Sequence, residues 1–212
     1  MKKILFAAIL FATLLGTKSV SAQEMRWGVT AGLTVTNQKW SQDQFRQEPF
    51  DSDKSLGYAG GIIGEYEIPG IGFGIDIGLQ YVQRGSSMNL GDFTVWADDG
   101  FGRERAYLHY LDVPFHLRFK YMNLNGFERK LAPFAFAGPN MSILLAHNDL
   151  NAFNYKSVQL GIEVGIGVEI YRDFQLSGSF NWDVTGTARA VKLDNFNSHN
   201  RTWHIALTYF FK

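Results

Sequence analysis

The chain contains no cysteine. A disulfide framework, a thiolate metal site and a thiol nucleophile are therefore excluded. A lipid-accepting cysteine behind an export signal is missing too, so a lipoprotein is not expected. After Ala22 no apolar run reaches about eighteen residues, and nothing reads as a membrane-spanning helix. Nor is there an excess of positive charge, since 20 Lys and Arg balance 20 Asp and Glu in 212 residues. That balance rules out a nucleic-acid binder resting on bulk charge.

The opening residues have a pattern of their own. Met1-Lys2-Lys3 is basic, Ile4 to Leu15 is apolar, and Val20-Ser21-Ala22 is a run of small residues of the A-x-A kind. The pattern predicts a secretory signal peptide over 1–22, cut after Ala22, and excludes a cytoplasmic enzyme. Residues 23–212 then form one domain. Lys2, Lys3 and Lys18 leave with the signal, so 17 basic residues face 20 acidic ones, a mature net charge of −3.

The dominant feature of that domain is alternation. Trp27, Val29, Ala31, Leu33 and Val35 alternate with Gly28, Thr30, Gly32, Thr34 and Thr36. Val158, Leu160, Ile162, Val164, Ile166, Val168 and Ile170 alternate with Gln159, Gly161, Glu163, Gly165, Gly167 and Glu169. Period two over this length is a strand signal. Eight such segments run over 26–36, 55–67, 71–85, 106–121, 132–146, 157–171, 174–184 and 201–212. They run to 11–16 residues, enough for a tilted strand to cross a bilayer, which needs about 9 to 11. In the fifth, the apolar parity moves from Phe134 and Phe136 to Met141, Ile143 and Leu145, which predicts a bulge at Gly138-Pro139.

Connections alternate between long, after strands one, three, five and seven, and short, after two, four and six. This is the signature of an outer-membrane barrel with long loops outside and both termini in the periplasm. Parity alone fits an aqueous sandwich as well. Three features favour the barrel. Glycines crowd beside charges on the polar face, and aromatics such as Trp27, Tyr66, Tyr121, Trp182 and Trp203 mark the strand ends. The chain also finishes on an aromatic strand, Tyr209-Phe210-Phe211. The expected fold is all-β: an eight-stranded antiparallel up-and-down transmembrane barrel in the outer membrane of a Gram-negative bacterium.

The parity nearly free of charge must then face lipid, where Arg or Lys near the midplane costs about 2 to 4 kcal/mol. The other parity carries Arg26, Glu65, Asp76, Arg84, Asp112, Arg118, Lys120, Glu163, Glu169 and Asp183. In a barrel this narrow those side chains fill the interior. Glu65, Asp76, Asp112, Arg118, Glu163 and Glu169 are the expected heart of a paired polar network, because buried charges must be compensated. The network reads as a plug holding the barrel; a proton or ion path is the alternative.

Three segments carry a family resemblance: Trp27 to Asn37, Tyr107 to Phe119 and Leu131 to Leu145. With Tyr110-Leu111-Asp112-Val113-Pro114 and Phe136-Ala137-Gly138-Pro139, the chain resembles the PorT-type outer-membrane β-barrel family of Bacteroidetes-like bacteria. The resemblance covers essentially the whole mature chain. It implies a barrel and, through the founding member, a part in type IX secretion and gliding-associated export.

Signals for chemistry are sparse. His109 and His116 fall on opposite faces, as do His199 and His204, and no pair among these and His147 has metal-ligand spacing on one face. Gly70, Gly72, Gly74 and Gly78 share a strand parity with no helix behind them, which reads as small lumen-facing residues rather than a phosphate loop. His109, on the lipid-facing parity, is placed where a lipid-modifying barrel would hold a base, with Ser86, Ser87 and Asp98 nearby in sequence. An interfacial amphipathic role is the alternative reading. Arg103, Arg105, Lys54 and Arg201 are candidates for lipopolysaccharide phosphates at the outer rim, or simple solvated charges. The expected function is non-enzymatic, a structural or interaction role through the outer loops. No cofactor is expected. Partners are outer-membrane lipids, lipopolysaccharide and envelope or secretion proteins. A secretion component and a lipid-modifying enzyme stand as alternatives; an open channel is a further one.

Overall fold

In a computed structural model, residues 24–42, 52–68, 70–89, 103–123, 126–148, 153–190 and 196–211 are described. The expected signal peptide and much of the first two long loops lie outside them. Alternation turns into topology directly. Strands β1 (Glu24–Gln42), β2 (Ser52–Glu67), β3 (Phe73–Asn89), β4 (Arg103–Lys120) and β5 (Leu131–His147) pair antiparallel in succession. After the short β6 (Phe153–Tyr155) come β7 (Val158–Ile170), β8 (Phe174–Asp183), the short β9 (Ala188–Ala190) and β10 (Phe196–Phe210). β5 pairs with β7, β7 with β8, β8 with β10, and β10 closes on β1. Eight long strands thus form a closed barrel, and β9 and β6 add a small ladder to β10 at the long-loop end.

The ladder is staggered. Following partners once round from Met25, through Tyr66, Ile75, Leu117, Ala137, Val164, Phe180 and Trp203, returns to Val35, ten residues further along β1. A stagger of this kind tilts the strands and fixes the bore for a given strand number. Every residue on that path belongs to the parity that faces outward. Burial is inverted relative to a water-soluble protein: Ile166 is 71% exposed while Glu65 is 0% exposed. Only a hydrocarbon exterior makes that arrangement favourable.

Several expectations change. The strands run further toward the long loops than the hydrophobic pattern indicates, β1 to Gln42 and β4 from Arg103. Backbone pairing carries on where apolar side chains stop. Gly70 and Gly72 belong to the β2–β3 turn, at φ 87° and 73°, and not to a strand face; Gly74 and Gly78 do face the lumen.

The bulge expected at Gly138-Pro139 is absent. Pairing with β7 is unbroken from Leu131–Ile170 to Ile143–Val158. The irregularity lies nearer the loops, where His109–Ala146 gives way to Tyr110–Leu144. Phe134 and Phe136 keep their parity and point into the lumen, where Gly165 and Gly167 make room for them. A Cβ at Gly165 would meet Phe136 Cε1 at 2.6 Å, and one at Gly167 would meet Phe134 Cζ at 2.5 Å.

Candidate functional site

The lumen is filled by polar side chains in three layers. Nearest the short turns, Arg118 is gripped from three other strands. Its Nε and Nη2 lie 2.8 and 2.7 Å from Asp76 Oδ2, and its Nη1 lies 3.0 Å from Glu65 Oε2 and 2.9 Å from Gln175 Oε1. Lys120 Nζ sits 2.5 Å from Glu67 Oε2, 3.2 Å from Glu169 Oε1 and 3.6 Å from Glu65 Oε1. Arg26 pairs with Glu65 at 2.6 Å and with Glu169, and donates to the Arg172 carbonyl at 2.6 Å. Three cations therefore serve four carboxylates. The guanidinium of Arg118 also lies 4.2 Å from the Phe134 ring centroid, and that of Arg26 4.5 Å from that of Phe210. An aromatic face favours a desolvated cation.

Midway up, Glu163 accepts a hydrogen bond from Ser179 Oγ at 2.6 Å and lies 3.5 Å from His116 Nε2. The His116 ring packs on Phe136, centroids 4.9 Å apart. A void of about 40 Å³ beside these groups and His204 has room for a single water.

Toward the loops, Arg84 pairs with Asp112, reaches Ser142 Oγ at 3.1 Å and lies 3.8 Å from Asp183 Oδ2. Asn140 Nδ2 donates to Asp112 Oδ2 at 3.0 Å, and Gln159 Nε2 donates to the Tyr110 hydroxyl at 2.8 Å. The void in this layer is about 10 Å³.

All six residues singled out from sequence point inward, but they are not one cluster. Glu65, Asp76, Arg118 and Glu169 come together at the turn end; Glu163 stands with His116; Asp112 belongs to the loop-side layer with Arg84. Sequence reasoning missed Glu67, whose parity placed it with Glu65, and Tyr110, whose aromatic ring disguised an inward position. The layers also account for two short segments, Tyr110 to Pro114 and Phe136 to Pro139. Tyr110, Asp112 and Pro114 are alternate inward residues of β4, and Asn140, next after Phe136 to Pro139, binds Asp112 from β5.

The candidate catalytic residues do not converge. His109 faces outward and its Nδ1 lies 2.5 Å from the Tyr81 hydroxyl. Ser86 is buried in the lumen, donating to Gln38 Oε1 at 2.8 Å. Ser87 pairs with Arg105, four residues along β3 from the partner of His109, roughly 13 Å at ~3.3 Å per residue. Asp98 lies outside the described residues.

A closed eight-stranded barrel with an apolar exterior and an ionic interior defines a small outer-membrane barrel protein. Residues 21–188 match the family described as outer membrane protein beta-barrel domain, and the chain belongs to that family. Comparison with curated proteins found no match. Among solved structures, the chain is similar to the outer membrane protein OprG from Pseudomonas aeruginosa, at 13% identity and TM-score 0.53, covering 90% of this chain and 97% of that one. It is also similar to Neisserial surface protein A, at 12% identity and TM-score 0.46, covering 87% and 97%. Escherichia coli outer membrane protein W follows at 14% identity and TM-score 0.43, covering 88% and 97%. At 13% identity the likeness to OprG is one of fold.

Proposed function

We propose that the protein is a non-enzymatic outer-membrane barrel that acts through its long-loop end, with both termini and the short turns in the periplasm. One observation carries this reading. Among the described residues the lumen is filled by ion pairs, with two voids of about 10 and 40 Å³ between them, while β1, β3, β4 and β5 run to 17–19 residues. A bilayer crossing takes about 9 to 11. The surplus lies at the loop end, a rigid stalk for presenting loops to a partner. Envelope proteins, lipids and lipopolysaccharide are the partners this geometry fits.

A second reading, a component of a secretion or assembly machinery of the type IX kind, draws on the PorT-type resemblance of the motifs around Asp112 and Pro139. It places the partner at the periplasmic turns instead. Photo-cross-linking in living cells separates the two. An azido-phenylalanine at position 96 of the second outer loop is expected to give protein adducts, and one in place of Phe127 in the β4–β5 turn is not. Adducts from position 127 alone would replace the first reading with the second. A lipid A or phospholipid profile that changes on gene deletion, and is not restored by the His109→Ala variant, would overturn both in favour of a lipid-modifying enzyme.

A further inference from the structure

The outward charges of the loop-end rim are unevenly spread. Lys39 on β1, Lys54 on β2, Arg105 on β4 and Arg201 on β10 occupy one side of the barrel. The outward faces of 131–145, 158–170 and 174–184 carry no charged residue. On the charged side, Arg201 pairs with Asn37, and the Thr36–Ser55 pair sets Lys54 on the other flank of Asn37. Strands lie about 4.8 Å apart, so the backbone positions of the two residues stand about 10 Å apart across one strand. Neither the Lys54 nor the Arg201 side chain has a hydrogen-bond or ion-pair partner among the described residues. Arg105 reaches the same patch, donating from Nη2 to Ser55 Oγ at 2.9 Å. Asp53 is the acid beside them.

What lies beneath completes the pattern. Two residues toward the membrane from Arg201 and Lys54, on the same face, are Trp203 and Leu56, both more than 60% exposed. Cations stand directly above an aromatic and aliphatic wall. An amphiphile with phosphates on top and hydrocarbon chains below matches that order of surfaces. Phosphatidylglycerol offers one phosphodiester, whereas two free cations separated by a strand suit a headgroup bearing two separated phosphates.

We propose that this face binds the bisphosphorylated lipid A of lipopolysaccharide, with Lys54 and Arg201 on its phosphates and acyl chains along Leu56 and Trp203. The proposal rests on the reading that the long loops face outward, and the experiment keeps the two apart.

Full-length protein in mild detergent is titrated with bisphosphorylated lipid A, with its phosphate-free form and with phosphatidylglycerol, and bound lipid is counted by native mass spectrometry. Wild type is expected to retain one lipid A. Lys54→Gln and Arg201→Gln singly should each weaken binding several-fold, and together at least tenfold. Val158→Gln, in the uncharged half, should leave it unchanged. A double variant within twofold of wild type, or equal retention of the phosphate-free form, overturns the proposal. Phosphatidylglycerol held as tightly as lipid A overturns lipid A as the source of the phosphate. Separately, Ser157→Cys, at the long-loop end away from the lipid A face, gives a single-thiol protein for an impermeant maleimide on intact cells. No labelling, with lipid A binding intact in detergent, would overturn the outward-loop reading and leave the phosphate site standing.

Discussion

Arg118 presents two nitrogens to one oxygen of Asp76, Nε at 2.8 Å and Nη2 at 2.7 Å, while its third nitrogen serves Glu65 and Gln175. One side chain on β4 thereby ties β3, β2 and β8 across the bore. Arg118→Ala leaves two buried carboxylates short of their counter-ion, a loss of about 3 to 5 kcal/mol. The urea midpoint of the barrel in lipid vesicles should fall accordingly. Adding Asp76→Asn should recover part of the loss, because it removes one uncompensated charge. A midpoint unchanged by Arg118→Ala would show the ion cluster to be irrelevant to stability.

The glycines under the inward rings give a sharper test. Gly165→Leu puts atoms where the Phe136 ring lies, since even a Cβ would come within 2.6 Å of Phe136 Cε1. In a filled lumen neither group has anywhere to go. The variant is expected to lose the fast-migrating unboiled band on a gel, and Phe136→Ala in the same chain should restore it. Failure of the second change to restore folding would point to Ser179 on β8, whose Cβ would lie 2.8 Å from the added one, instead of the ring.

How much of this was readable beforehand differs between residues. The alternation of β7 from Val158 to Ile170 gave its two faces without any structure, because a hydrocarbon exterior enforces parity residue by residue. Phe134 and Phe136 were not readable, being apolar side chains on the polar face. Their only trace is Gly165 and Gly167, and linking them requires the register between β5 and β7. The same holds for ion pairing. Charges at Asp112 and Arg118 are visible in sequence, and six residues of one strand already set them about 20 Å apart, but which side chains each one meets across the bore follows from the ten-residue stagger. The ends of β1 and β4 were hidden because backbone hydrogen bonds leave no hydrophobic pattern.

The exterior makes its own prediction. Ile166 lies in the middle of β7 and is 71% exposed. Ile166→Arg should cost about 2 to 4 kcal/mol when the protein is refolded into lipid vesicles. Thermodynamic titration in urea checks this. A neutral result would mean that water, not lipid, surrounds this face.

Ion conduction should be undetectable. The lumen voids of about 10 and 40 Å³ hold at most isolated waters, with ion-paired side chains between them. Purified protein in planar bilayers is expected to give no discrete current steps. Steady steps abolished by Arg84→Ala would instead make the loop-side layer a gate.

The turn-end ion cluster draws on both halves of the chain, since Arg26 from the first strand meets Glu169 from the seventh element and the Arg172 carbonyl of the turn after it. It cannot exist in a partly wound sheet. Arg26 and Glu65 already pair between neighbouring β1 and β2, but until the seam between β1 and β10 shuts, Glu169 faces a bilayer without Arg26, an intermediate with a strong incentive to finish. The salt cluster thus works as a latch: it rewards completion and makes a half-closed barrel the least comfortable state on the way in.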